Sequence, residues 1–104
     1  MRQRVNMIEI NREFIKSICN KNHLKSLALF GSVTTDSFSD SSDVDVLILF
    51  DDSRSFNYFD SYFTIKNELE AYWHRSVDLV VEKTFRNPYF DESVKKSRVV
   101  IYEQ

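Results

Sequence analysis

Asp43 and Asp45 open the segment Asp43–Val44–Asp45–Val46–Leu47–Ile48–Leu49–Phe50. In an extended chain, residues two apart point to the same face, so these carboxylates would stand side by side as the chain enters a strand. Two unpaired anions held that close repel each other. A divalent cation removes the penalty, and carboxylate oxygens are the donors that Mg²⁺ prefers. A lone Asp-x-Asp is more often a strand start that merely faces water. Asp78 shifts that balance. It lies inside a second apolar run, Val77–Asp78–Leu79–Val80–Val81, where an acid is costly to bury without a partner. The plain reading is an edge-strand acid facing solvent and pairing with Arg75. The chemical reading is that the two runs are neighbouring strands, so that Asp78 adds a third carboxylate. Three such groups can hold two Mg²⁺ ions, the arrangement used for phosphoryl and nucleotidyl transfer.

Gly31 and Ser32 follow the apolar run Leu27–Ala28–Leu29–Phe30, and Gly31 is the single glycine of the 104-residue chain. Glycine permits a sharp turn and a close approach of backbone to a ligand. Ser32 offers a hydroxyl and an amide to a phosphate. Alone, Gly-Ser is an ordinary strand-ending turn.

The elements that must position these residues can be read from periodicity. Residues 7–22 read as a helix, with Phe14, Ile15, Ile18 and Cys19 at helical spacing and Asn11 as a cap for its main body. Asn20–His23 is a polar stop, and Leu24–Phe30 reads as a strand. Residues 33–42 are rich in Ser, Thr and Asp and read as a loop with at most one helical turn. Val44–Phe50 is an unbroken apolar-rich run whose β-branched content and length favour a buried strand. Residues 56–74 form the longest periodic segment, with Phe56, Phe59, Phe63, Leu69 and Trp73 on one helical face and Lys66, Asn67, Glu68 and Glu70 mainly on the other. Val77–Val81 is a third strand. Asn87–Pro88 begins a further helix, with Asp91 and Glu92 in its first turn and Lys95, Lys96 and Arg98 towards its end. Val99–Tyr102 is a short strand or a docked tail. The expected fold class is α/β (α+β), a small mixed β-sheet with helices packed against it, spanning residues 1–104 as one domain.

Composition bounds the partners. The net charge is −2, with 16 acidic and 14 basic residues, so no broad attraction for nucleic acid or anionic membranes is expected. No apolar run approaches the roughly 18 residues that a membrane span needs, and no signal-peptide pattern opens the chain; a cytoplasmic location is expected. Cys19 is the lone cysteine and reads as a small core residue. His23 and His74 sit at element ends and read as solvent-exposed. The 14% aromatic share exceeds what one helix face can hide, so part of it is expected in a contact with a partner or with a second copy as a homo-oligomer.

Taken together, Leu29–Phe30–Gly31–Ser32, nine residues, then Ser42–Asp43–Val44–Asp45–Val46–Leu47–Ile48 resembles the signature of the DNA polymerase β-like nucleotidyltransferase superfamily. The short chain is similar to its minimal nucleotidyltransferases, including MntA-type antitoxins of HEPN–MNT pairs. Asp78 lies where the third family carboxylate is expected, roughly thirty residues beyond Asp45. The resemblance implies that Asp43, Asp45 and Asp78 are catalytic and bind two Mg²⁺ ions. It implies that Gly31, Ser32 and Ser42 bind the nucleotide, ATP being the expected donor, with Gly31 and Ser32 on the β- and γ-phosphates. AMP would pass to a hydroxyl on a HEPN-like helical partner protein, making the chain an antitoxin. Two other readings stand beside it. One is a catalytically weak or inactive module that neutralises a partner by binding; the other is one subunit of a two-component small-molecule nucleotidyltransferase. The chain departs from the pattern at Thr35, where many minimal members carry Arg. No Lys or Arg occurs from Val33 to Ser42. A missing guanidinium removes a charge-assisted contact worth about 1.5–3 kcal/mol, for which Lys25, Arg54, Lys66 and Arg75 are the candidate substitutes.

Overall fold

The computed structural model describes residues 2–6, 8–51, 57–82 and 98–104. The chain begins with β1 (Arg2–Val5) and β2 (Ile8–Asn11), an antiparallel hairpin in which Val5 pairs with Ile8. The expected helix over residues 7–22 is therefore corrected at its front end. Ile8 and Ile10 are buried while Glu9 and Asn11 are only partly so, a period of two that marks a strand. Asn6 takes the left-handed backbone conformation, with φ of 54°, that a two-residue hairpin turn requires and that Asn tolerates. The helix proper, α1 (Arg12–Lys21), starts where the Asn11 carboxamide accepts the amides of Glu13 and Phe14 at 3.1 and 3.2 Å. Asn22 closes it, its amide and its carboxamide both donating to the Ile18 carbonyl.

β3 (Leu24–Phe30) follows, then a single tight turn at Gly31–Thr34 and β4 (Val44–Phe50). α2 (Tyr58–Trp73) is capped by Asn57, which accepts the Asp60 amide at 3.1 Å, and ends at His74 in the left-handed conformation. β5 (Val77–Val81) and β6 (Val99–Glu103) complete the described elements. The expected helix starting at Asn87–Pro88 lies outside the described residues. The sheet order is β5-β4-β3-β6, with β4 and β5 parallel and the other neighbours antiparallel. α2 is the crossover that a parallel pair needs.

Alternation decides which face each strand buries. Val44, Val46, Ile48 and Phe50 of β4 join Leu27 and Leu29 of β3, Leu79 of β5 and Ile101 of β6 in one core with α1, α2 and the hairpin. Ala28 and Leu47 form a smaller cluster with Phe30 and Val80 on the opposite sheet face. The inner stripe of α2 is Ile65, Leu69 and Trp73, with Tyr62 and Tyr72 packed beside it. This corrects the expected aromatic face. Phe59 and Phe63 are 71% and 43% exposed, because positions two and six residues before Ile65 fall on another side of the helix. Phe56 lies outside the described residues. Trp73 donates its indole N–H to the Glu9 carbonyl at 3.0 Å, and the Asn11 amide donates to the Tyr72 hydroxyl at 3.1 Å, so the hairpin is fastened to the end of α2. Among the described residues no helix is long and apolar enough to cross a membrane.

The two corrections make opposite demands on mutation. Ile10→Ala empties a fully buried position in the hairpin and should lower stability by about 2–5 kcal/mol in urea denaturation. Phe59→Ala should change it by no more than about 0.5 kcal/mol. Equal effects would reject the placement of both residues.

Candidate active site

β4 and β5 lie in register, and the partner of Asp45 is Asp78. Because Val44 and Val46 turn into the core, Asp45 turns to the other face; Val77 and Leu79 do the same for Asp78. The two carboxylates therefore stand on adjacent strands and on the sheet face that points away from the main core. Asp43 precedes β4, is exposed, and is near enough for its charge to act on Asp45. The Asp45 carboxyl is held above its ordinary value of 3.8, first by loss of water around it and then by the charges of Asp78 and Asp43. A hydrogen bond from the Ser32 backbone amide works in the opposite direction and favours the ionised form.

Ser32 reaches Asp45 because of Gly31. Phe30 pairs with Asp45 across the antiparallel β3–β4 ladder, and the next residue must turn at once. Gly31 has φ of 72°, a conformation in which a side chain is strained. A Cβ there would overlap the Asp45 carboxylate oxygen Oδ2 and lie 3.1 Å from its Cγ. The glycine is needed for its backbone angle and for the space its missing side chain leaves to the acid.

The loop beyond is tied down from three directions. The Asn6 carboxamide at the tip of the hairpin donates to the carbonyls of Val33 and Thr35. Thr35 donates its hydroxyl to the Ser32 carbonyl at 2.9 Å and accepts the Ser37 amide at 3.2 Å. Thr35 thus braces the turn from an exposed position. Arg75 donates to the carbonyls of Ser39, Asp40 and Ser42 at 2.8, 3.3 and 2.9 Å, and its guanidinium lies 4.5 Å from the centre of the Phe38 ring. Asp78 is exposed, as the plain reading has it, while the Arg75 guanidinium named there as its partner is engaged in this clamp. Ser42 accepts the Ser39 amide through its hydroxyl at 3.0 Å, so its side chain shapes the loop directly ahead of Asp43. Arg54 lies outside the described residues. Asn6 has no signal in the sequence, since its role depends on a hairpin whose second strand falls within the expected helix over residues 7–22.

Among the described residues no three carboxylate, imidazole or thiol side chains are gathered closely enough to hold an ion by themselves. Mg²⁺ commonly binds through one or two carboxylates, with substrate phosphates and water as the other ligands. Asp45 and Asp78 fit that pattern, as hard oxygen donors with surplus negative charge, and Asp43 stands beside them. Cys19 is buried, and burial pushes its thiol up to about 12, which suits a core residue rather than a nucleophile.

The family model for the polymerase beta nucleotidyltransferases matches residues 13–104. The chain belongs to this nucleotidyltransferase family. A relative from Methanocaldococcus jannaschii, provisionally named a protein adenylyltransferase, is 31% identical over 93 residues, covering 89% of this chain and 92% of the relative. Among solved structures, one provisionally described as a minimal nucleotidyltransferase is 27% identical with a TM-score of 0.67, covering 85% of this chain and 86% of its own. A chain from the complex of a tri-AMPylated Shewanella oneidensis HEPN toxin with an MNT antitoxin superposes with a TM-score of 0.59 at 17% identity, covering 89% and 70%. The four-stranded mixed sheet with its two helices is thus a nucleotidyltransferase fold.

Gly31→Ala should destabilise the protein by about 1–3 kcal/mol from the backbone angle alone and should displace the Asp45 carboxylate. A thermal melt and a crystal structure of the variant test this together. An unmoved Asp45 in a variant of unchanged stability would refute the close-approach role of Gly31.

Proposed function

We propose that this nucleotidyltransferase moves AMP from ATP to a hydroxyl on a HEPN-like helical partner protein and thereby acts as its antitoxin. The observation that carries the proposal is the side-by-side placement of Asp45 and Asp78 with the Gly31 turn closed against Asp45. The names of its relatives, a protein adenylyltransferase and an MNT antitoxin with its AMPylated toxin, support the choice of reaction and partner.

In this reading Asp43, Asp45 and Asp78 would supply the oxygen ligands of a divalent cation, whose chemistry there would be to offset charge on the phosphates. Gly31 and Ser32 bring the backbone of the turn close to the triphosphate, and Ser42 holds the loop that presents Asp43. The acceptor oxygen forms a bond to the α-phosphorus, and the bond from that phosphorus to the bridging oxygen breaks as pyrophosphate leaves. Asp78 takes the proton of the acceptor hydroxyl. The Ser32 amide favours the ionised form of Asp45, on the partner strand, against the loss of water and the neighbouring charges.

A second reading, neutralisation of the partner by binding alone, is favoured by Thr35, whose hydroxyl is engaged within the turn where a guanidinium would contact phosphate. Incubating the purified chain with the protein encoded beside it, Mg²⁺ and labelled ATP separates the two. Transfer should add AMP to a partner side chain, and Asp45→Asn should lower the rate by at least about a hundredfold and abolish neutralisation while the fold survives. Full neutralisation by a folded Asp45→Asn variant, without label on the partner, would establish the binding module instead.

A further inference from the structure

α2 lies along the outer edge of β5. The Val44 amide donates to the Ser76 carbonyl at 3.0 Å, so the backbone groups of Ser76, Asp78 and Val80 turn towards β4 and those of Val77 and Leu79 turn outward. An outward group on each side of Asp78 is taken by a side chain of α2. Glu70 Oε2 accepts the Val77 amide at 2.9 Å. The Tyr62 hydroxyl donates to the Leu79 carbonyl at 2.8 Å. Lys66 stands one helical turn from each, and its ammonium donates to the same Glu70 oxygen at 2.8 Å. The three residues form one stripe at spacings of four, the arrangement that places side chains in line on a helix. This corrects the sequence-based placement of Lys66 and Glu70 on the outer side of α2.

Covering an edge strand needs only groups that block pairing with another chain, for which one charged side chain suffices. Here a tyrosine and a hydrogen-bonded ion pair grip the backbone on both sides of a single acid. We propose that Tyr62, Lys66 and Glu70 are positioning residues for Asp78, fixing the strand so that its carboxylate stays opposite Asp45 at the separation a shared cation requires. The assignment rests on the nucleotidyltransferase reading of Asp45 and Asp78. Glu70 acts through the Val77 amide, one residue from Asp78, and Tyr62 through the Leu79 carbonyl on the other side. Lys66 keeps Glu70 ionised and aimed. The Glu70 carboxyl lies below its ordinary value of 4.5, first because of the Lys66 hydrogen bond and then because of the Val77 amide. Lys66 is held above 10.5 chiefly by Glu70, and the charge of Asp78 adds to the effect, so the ammonium also offsets part of the repulsion at the acid pair. Partners of this kind, which orient a ligand without touching the ion, commonly change metal affinity or activity by 10–100-fold when removed.

The test uses the full chain, Mn²⁺ alone as the probe, and amide hydrogen exchange at Val77. Glu70→Ala should weaken Mn²⁺ binding by about tenfold and speed exchange of the Val77 amide. Glu70→Gln keeps an acceptor oxygen for that amide and should recover most of both. Lys66→Met should fall between them. In AMP transfer the loss should be in kcat, with the KM for ATP nearly unchanged. Faster Val77 exchange with wild-type Mn²⁺ affinity in Glu70→Ala would overturn the proposal, because the contact would then only cover the edge. Should Glu70→Ala fail to fold, wild-type Mn²⁺ affinity in Lys66→Met would overturn it. Asp78→Asn serves as the control. If that variant binds Mn²⁺ and transfers AMP like the wild type, the nucleotidyltransferase reading of Asp78 fails. If it loses both while Glu70→Ala loses neither, the positioning role alone fails.

Discussion

Asp45 and Asp78 face the same way on adjacent parallel strands, and the repulsion between their carboxylates is the constraint that the surrounding structure answers. The pair is set by register: moving β5 by one residue would send Asp78 into the core and Val77 or Leu79 to the acid face. That slip is opposed by the apolar positions on either side, which must remain under α2. The same burial that makes the register secure also strips water from Asp45 and raises the cost of its charge. The Ser32 amide offsets part of this cost. The most strained feature of the site and its chemical capacity have a common origin.

Around that pair, rigid elements hold irregular backbone in place. Gly31 supplies the one angle and the one gap that let the Ser32 amide reach Asp45. Asn6 fixes the turn from the hairpin, and Arg75 fixes the loop ahead of Asp43 from the end of α2. Placing a functional group on a loop while bracing it from packed elements is how small domains hold a site within the tolerances chemistry needs. The hairpin therefore serves both the core, through Ile8 and Ile10, and the site, through Asn6.

Much of this arrangement was legible in the sequence. Leu24–Phe30, Val44–Phe50 and Val77–Val81 are strands over the ranges their apolar runs mark, because each run ends in polar residues or glycine. The Gly-Ser to Asp-x-Asp spacing carries the resemblance to the family. What was missed depends on contacts between distant segments. Ile8 and Ile10 stand two residues apart, the period of a strand, but the run is too short to outweigh the helical spacing that follows it, and the turn at Asn6 is what sets it apart as a hairpin strand. Periodicity groups Phe59 and Phe63 on one helical face with Leu69 and Trp73, yet the inner stripe of α2 is set by Ile65, Leu69 and Trp73. Arg75 stands three residues before Asp78 along the chain, whereas three carbonyls of the loop converge on it in space. Periodicity puts Lys66 and Glu70 on the outer side of α2, whereas β5 lies within reach of Glu70 there.

The direct measurement is the stability of the wild type and of Asp45→Asn against pH, with and without Mg²⁺. The folded-state pKa of Asp45 lies above its ordinary value of 3.8, so ionising this group costs stability. The wild type should match the variant below about pH 4, where the carboxyl is protonated in both folded and unfolded chains. It should lose ground as pH rises through the folded-state pKa. At neutral pH without metal, Asp45→Asn should therefore melt at the higher temperature, and Mg²⁺ should raise the melting temperature of the wild type more than that of the variant. An Asp45→Asn chain that is less stable than the wild type at neutral pH without metal, with a gap that neither pH nor Mg²⁺ alters, would contradict the account.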